Sequence, residues 1–200
     1  KHFDKFMKNL DLKLFKISGM IKGVKNFLIV ILIAGGSFSC ENSASHLLIE
    51  AESFTEKGGW LVDPQFVEQM GSPYLLAHGL GNPVKNAISE VKLPSKGKYY
   101  FWVRTKNWAP GEWDAPGRFK LIVNGEELES VLGTEKGWNW QYAGSVRFKE
   151  TSAVIELKDM TGFDGRCDAI YFSTIKANPP DDPEELSQWR KDIRGENDIP

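Results

Sequence analysis

The chain has 200 residues, with 25 basic and 27 acidic side chains and a formal net charge of −2. Residues 1–39 hold seven lysines and two aspartates, so the remainder carries 18 basic and 25 acidic side chains, a net of −7. A body that acidic excludes nucleic acid and anionic membrane surfaces as favoured partners.

Residues 20–40 have the layout of an export signal. Met20 opens a short basic stretch with Lys22 and Lys25, and the uncharged run Phe27-Leu-Ile-Val-Ile-Leu-Ile-Ala34 follows. Small residues then lead to Cys40. The run is shorter than the roughly 20 apolar residues a bilayer span needs, but has the length of a signal-peptide core. Ser37-Phe38-Ser39-Cys40 resembles the lipobox of bacterial lipoproteins, with Ser37 where those proteins usually carry an aliphatic residue. The resemblance implies a lipid on Cys40, anchorage to a membrane, and a periplasmic or cell-surface location. Residues 1–19 precede this complete signal and are expected to be an upstream extension from a mis-called start. Residues 40–46 read as a tether.

Residues 47–176 read as one all-β domain of common size. Leu47–Phe54 is expected to be the opening strand. Ala87–Leu93 and Lys98–Arg104 are expected strands, parted by Pro94-Ser95-Lys96-Gly97. Phe119–Leu128 reads as a hairpin with Asn124-Gly125 at its turn, since both residues tolerate the positive φ of a type I′ turn. Tyr142–Lys149, Ala153–Lys158 and Cys167–Ile175 complete the set, and no helix is expected before residue 180. Many short strands between Gly and Pro turns point to a sandwich or barrel. Cys167 is the only thiol after Cys40, so the body has no intrachain disulfide, and the residue reads as a small hydrophobe.

Residues 177–200 read as a Pro-rich acidic linker and a short helix. Asp182 is placed to cap, Pro183 suits the first turn, and Glu184 and Glu185 favour the positive helix end. Leu186, Trp189 and Ile193 make one apolar stripe, and Gly195 is expected to stop the helix.

The order of these signals resembles the family 6/35 carbohydrate-binding modules, which are galactose-binding-like jelly-roll β-sandwiches. The resemblance rests on Ile49-Glu-Ala-Glu-Ser-Phe54, Gly97–Arg104, Phe119–Leu128, Trp138-Asn-Trp140 and Asp168-Ala-Ile-Tyr-Phe172. It places Asp168 of the closing strand beside the opening strand, where Glu50 and Glu52 would share one face. Three carboxylates are hard oxygen ligands suited to a structural Ca²⁺. The alternative is a half-exposed polar strand face, with Asp168 bonded to backbone amides or Arg166.

The loop Trp108–Gly117 holds Trp108, Trp113 and Asp114, and Gly137-Trp138-Asn139-Trp140 reads as a second aromatic turn. Exposed indoles suit the C–H face of a pyranose. Asp114, Asn139, Asp164 and Arg166 are the expected hydrogen-bonding partners of sugar hydroxyls. The alternative is that the tryptophans fold back to plug the ends of the sandwich. Trp60 and Trp102 read as core. Asp164-Gly165-Arg166 departs from the asparagine that many of these modules place before the closing strand for sugar contact.

A narrower resemblance joins residues 58–66, 69–81 and 178–186 to the accessory domains of secreted bacterial FAD-dependent oxidoreductases. It implies a catalytic flavin domain after residue 200. Gly79-Leu-Gly81 is not a dinucleotide fingerprint, because no third glycine stands at the required spacing. Residues 1–200 carry no catalytic signature. The expected function is a lipid-anchored, non-catalytic carbohydrate-binding module. The alternatives are an accessory domain of such an oxidoreductase and a scaffold with no ligand of its own.

Overall fold

Strand β10 (Phe163–Ser173) is the spine of the larger sheet. The computed structural model describes residues 44–111 and 114–197, and side chains of the last helix as far as Ile193. The expected extension (1–19), export signal (20–39) and lipid-bearing Cys40 lie outside the described residues, as does Trp113.

The first half of β10 pairs with β3 (Tyr74–His78) and the second half with β1 (His46–Glu50). Its other edge pairs with β5 (Gly97–Asn107), which pairs with β8 (Gly137–Phe148). The short β2 (Leu61–Asp63) closes the far edge on β3. The second sheet runs β4 (Ala87–Lys92), β9 (Ser152–Asp159), β6 (Phe119–Val123), β7 (Glu126–Glu127). Every named pairing is antiparallel. The protein is thus mostly β, with two antiparallel sheets packed as a sandwich and a C-terminal helix, as the sequence led one to expect.

Strand alternation builds the core. Tyr99, Phe101 and Val103 of β5 point inward, as do Ile170 and Phe172 of β10 and Phe119, Leu121 and Val123 of β6. Phe101 stacks on Phe172 with centroids 4.8 Å apart, and Trp60 meets Phe119 edge-on at 5.5 Å. Cys167 is fully buried among them, and burial raises its thiol pKa well above the usual value, so it stays protonated. Asn124 and Gly125 both have positive φ (51° and 81°), as a type I′ turn requires.

Five local expectations are corrected. The opening strand stops at Glu50, and Ala51–Ser53 is a 3₁₀ turn closed by Phe54 N–H donating to the Ala51 carbonyl (3.1 Å). Residues 137–140 are not a turn but the start of β8, in register with β5 from Asn107 to Arg104. Residues 61–63 and 74–78 form two unforeseen strands, too short or too close to glycine to show a period. A four-residue helix, α1 (Val67–Met70), sits between them, stopped by Gly71 at φ 80°. The last helix, α2 (Pro183–Asn197), runs past Gly195, because an interior glycine costs a helix about 1 kcal/mol without ending it.

Candidate functional site

The face of the larger sheet turned away from the core carries the alternate set of side chains. Tyr100, Trp102, Arg104 and Lys106 stand on β5, Trp138, Trp140 and Tyr142 on β8, and Tyr171 on β10. This face divides into an open aromatic end, a central knot of charges and a patch covered by α2.

At the open end Lys106 is boxed by rings. Its Nζ lies 3.8 Å from the Phe66 centroid, 5.7 Å from Trp108 and 5.9 Å from Trp138. Phe66 stacks on Tyr74 (5.8 Å) and meets Trp108 and Trp138 edge-on (6.0 and 5.9 Å). Tyr74 is buried and its hydroxyl donates to Asp63 (2.7 Å); burial and that bond push the phenol above its ordinary range. Burial, helped by the charge of Arg166, lowers the Lys106 ammonium. Trp108 is 39% exposed and lines a groove of about 500 Å³ with Lys106, Asn107, Pro116 and Lys136.

Arg166 supports this loop from below. It is 2% exposed, with its guanidinium 5.0 Å from the Trp108 centroid. It donates to the carbonyls of Trp108 and Asp164, the latter at 2.9 Å. Asp164, at φ 61°, accepts at 2.7 Å the hydrogen bond of His78 Nδ1. Neither Asp164 nor Arg166 is therefore turned out to meet a ligand, which corrects the expectation of hydroxyl contacts.

The central knot gathers Glu50, Glu52 and Asp168. A bulge between Cys167 and Ala169 leaves Asp168 as the extra residue of β10 against β5. Bulges of this kind re-aim a side chain, and here Asp168 and Ala169 both leave the inter-sheet core. Asp168 is fully buried. It accepts hydrogen bonds from Ser72 (3.3 Å), Arg104 (3.4 Å) and Arg190 of α2. Arg190 also lies 3.6 Å from Glu50 Oε2. Burial raises the Asp168 carboxyl, with Arg190 and Arg104 opposing, and lowers the Arg104 guanidinium. Burial also holds the Glu52 carboxyl up at about 7. Glu52 sits in the 3₁₀ turn, so it reaches the knot from a turn rather than from the strand face it was expected to share with Glu50. The donor set does not fit a calcium ion as arranged, because guanidiniums hold Asp168. No group of three His, Cys, Asp or Glu among the described residues is placed to hold a metal ion.

The third region is covered. Trp140 meets Trp189 of α2 edge-on at 5.8 Å, and its indole N–H donates to the Pro180 carbonyl (3.1 Å). The Trp102 indole donates to Asn178 (3.0 Å). Leu186 packs in the same cluster as Trp102, Trp140 and Ala169. The helix is capped as expected, with Asp182 Oδ1 accepting from the Glu184 and Glu185 amides at 3.0 and 3.1 Å.

Of the expected sugar-contact residues, Trp108 and Trp138 meet in the aromatic box and Trp108 is exposed. Trp140 is buried under the tail, which removes it from the ligand surface. Asn139 spends its amide locally, donating to Lys136 O (3.3 Å) and accepting from Gln141 (3.2 Å). Asp114 is exposed. Sequence reasoning missed Phe66, Lys106, Arg104 and Arg190. Lys106 was findable, since it stands two residues before Trp108 and continues the outward row of Tyr100, Trp102 and Arg104. Arg190 falls on the Leu186–Trp189–Ile193 stripe at i+4, but a charge on an apolar stripe is not read as buried.

Solved carbohydrate-binding modules share this sandwich fold. The GH26-CBM35 β-(1,4)-mannanase of Podospora anserina superposes with a TM-score of 0.52 at 18% identity. That match covers 68% of this chain and 29% of the mannanase, so the chain spans under a third of that enzyme's length. A family 35 carbohydrate-binding module from Clostridium thermocellum superposes at 0.51 in its native structure, with 19% identity over 64% of this chain and 97% of the module. A second structure of a family 35 module from that organism gives 0.51 and 18%, over 64% and 98%. No protein-family model and no curated protein matches the sequence.

Proposed function

We propose that this protein is a non-catalytic carbohydrate-binding module that engages its ligand at the groove beside Trp108, and that lipid on Cys40 holds it at a membrane after export. The observation that carries the reading is the exposed indole of Trp108, backed by Arg166 and Phe66 and flanked by Lys106, Asn107 and Lys136. An aromatic face with a few polar groups around it is what a pyranose ring needs: one plane for its C–H surface and donors for its hydroxyls. The fold shared with family 35 modules supports the same reading.

A glycan array probed with the intact chain and with Trp108→Ala tests it. Binding to a carbohydrate that the variant loses by about tenfold or more, the scale of one aromatic contact, supports the groove. An array on which the intact chain binds nothing overturns it. The lipid anchor is tested separately: the wild type partitions into the detergent phase and Cys40→Ala into the aqueous phase. The accessory-domain reading, with an FAD-dependent catalytic domain as partner, rests on residues 58–66, 69–81 and 178–186. A Gly-x-Gly-x-x-Gly fingerprint after a strand in the reading frame beyond Pro200 supports it, and a stop codon there removes it.

A further inference from the structure

The carboxylates that join the first strand to the last are neutralised from within the chain. Arg190 is 6% exposed and stands on α2, opposite Ser72 and the end of α1. One nitrogen, Nη1, lies 3.2 Å from Met70 O, 3.4 Å from Ser72 Oγ and 3.6 Å from Glu50 Oε2. The other, Nη2, bonds Asp168 Oδ2. A single planar cation thus touches α1, β1 and β10 at once, and the apolar contacts of Leu186 and Trp189 seat the helix that delivers it. Arg104 holds Asp168 from the β5 side at 3.4 Å.

The same geometry excludes a divalent ion. Ca²⁺ needs six to eight oxygens at about 2.3–2.6 Å, and here two guanidiniums compete for Asp168. If α2 lifts away, Arg190 leaves with it. Asp168 and Glu50 then lose their shared guanidinium, next to Glu52, whose buried Oε2 has no hydrogen-bond partner among the described residues. Arg104 is then the guanidinium that remains on Asp168.

We infer that the Arg190 guanidinium is the resident cation of the Glu50–Glu52–Asp168 cluster, so that docking of α2 and occupation of the cluster by a divalent cation exclude one another. The C-terminal helix is then a clamp whose hold depends on what neutralises the first and last strands. By mass action, a cation that binds only the undocked form draws the population toward it.

The test is calcium titration calorimetry and thermal melts in EDTA or calcium on the full chain, its Arg190→Gln variant and its Trp189→Ala variant. The expected wild-type melting temperature is the same in both buffers. Arg190→Gln melts lower in EDTA and recovers by about 5–10 °C at calcium 100-fold above its dissociation constant. Trp189→Ala loosens the helix and keeps the guanidinium, so it gains a smaller calcium response. A wild-type response as large as that of the variants overturns the inference, as does no calcium response in either variant. If Arg190→Gln does not fold in EDTA, folding on calcium addition supports the inference. Failure to fold in both buffers, together with an unresponsive Trp189→Ala, overturns it.

Discussion

Arg166 lies directly beneath Trp108, with the guanidinium 5.0 Å from the indole centroid and bonded to the Trp108 carbonyl. The pair gives the two residues opposite roles. Arg166 holds the loop by its backbone, while the ring it supports is 39% exposed.

The pair separates binding from stability. Trp108→Ala is expected to lose ligand binding while shifting the melting temperature by no more than about 2 °C, since a partly exposed side chain contributes little to folding. Arg166→Ala removes a buried charged donor and is expected to cost about 2 kcal/mol. Isothermal titration with an array-identified glycan, alongside urea melts, distinguishes the two. Equal stability losses in both variants would contradict the assignment.

Asp168 is fully buried between Arg104 and Arg190, so Asp168→Asn removes the carboxylate that two buried guanidiniums share. Breaking a buried ion pair from one side costs about 3–5 kcal/mol. The midpoint of urea denaturation should fall accordingly, and a loss under 1 kcal/mol would mean the network is solvated.

Burial holds the Glu52 carboxyl up at about 7, above its ordinary value of 4.5. Between those values the folded state binds more protons than the unfolded state, so stability falls as pH rises from about 4.5 to 7 and levels off above. Glu52→Gln removes that slope. After allowance for the solvent that still reaches this half-buried group, the variant should be about 1 kcal/mol more stable at pH 8 and unchanged at pH 4. Thermal melts in EDTA across pH 4–8 measure the difference. A wild type whose Glu52-dependent stability grows with pH would reverse the assignment.

Gly162 and Gly71 both have positive φ, at 67° and 80°, but their surroundings differ. A Cβ on Gly162 would meet Asn82 O at 2.0 Å, while one on Gly71 would meet nothing within 4 Å. The Gly162 carbonyl also accepts the amides of Gly79 and Gly81, at 2.9 and 3.0 Å. Gly71→Ala should cost about 1 kcal/mol, the price of a left-handed backbone alone. Gly162→Ala should cost at least twice that, and comparable denaturation midpoints for the two would refute the packing argument.

Much of the fold was legible. The long strands β4, β5, β6 and β9 announce themselves by aromatic and β-branched content, and Asn124-Gly125 marks its own turn. The end of β1, the start of β8 and the strands β2 and β3 were not legible. Each is short or adjoins glycine, and each takes its conformation from the neighbouring strand to which it is hydrogen-bonded. The candidate site was half legible. Trp108 and Trp138 stand out as indoles, but nothing local says that Trp140 is covered, that Asp164 faces His78, or that Lys106 is enclosed by rings from three segments.

The sequence by itself determined the strand-built class, the acidic charge of the body and the capped C-terminal helix. Those follow from side-chain periodicity, turn chemistry and strand order, which are local or nearly so. Only the tertiary structure decided which indole faces water and which cation sits among the carboxylates. Both depend on where α2 lands, and that is set by Leu186, Trp189 and Arg190 meeting residues from distant strands at once.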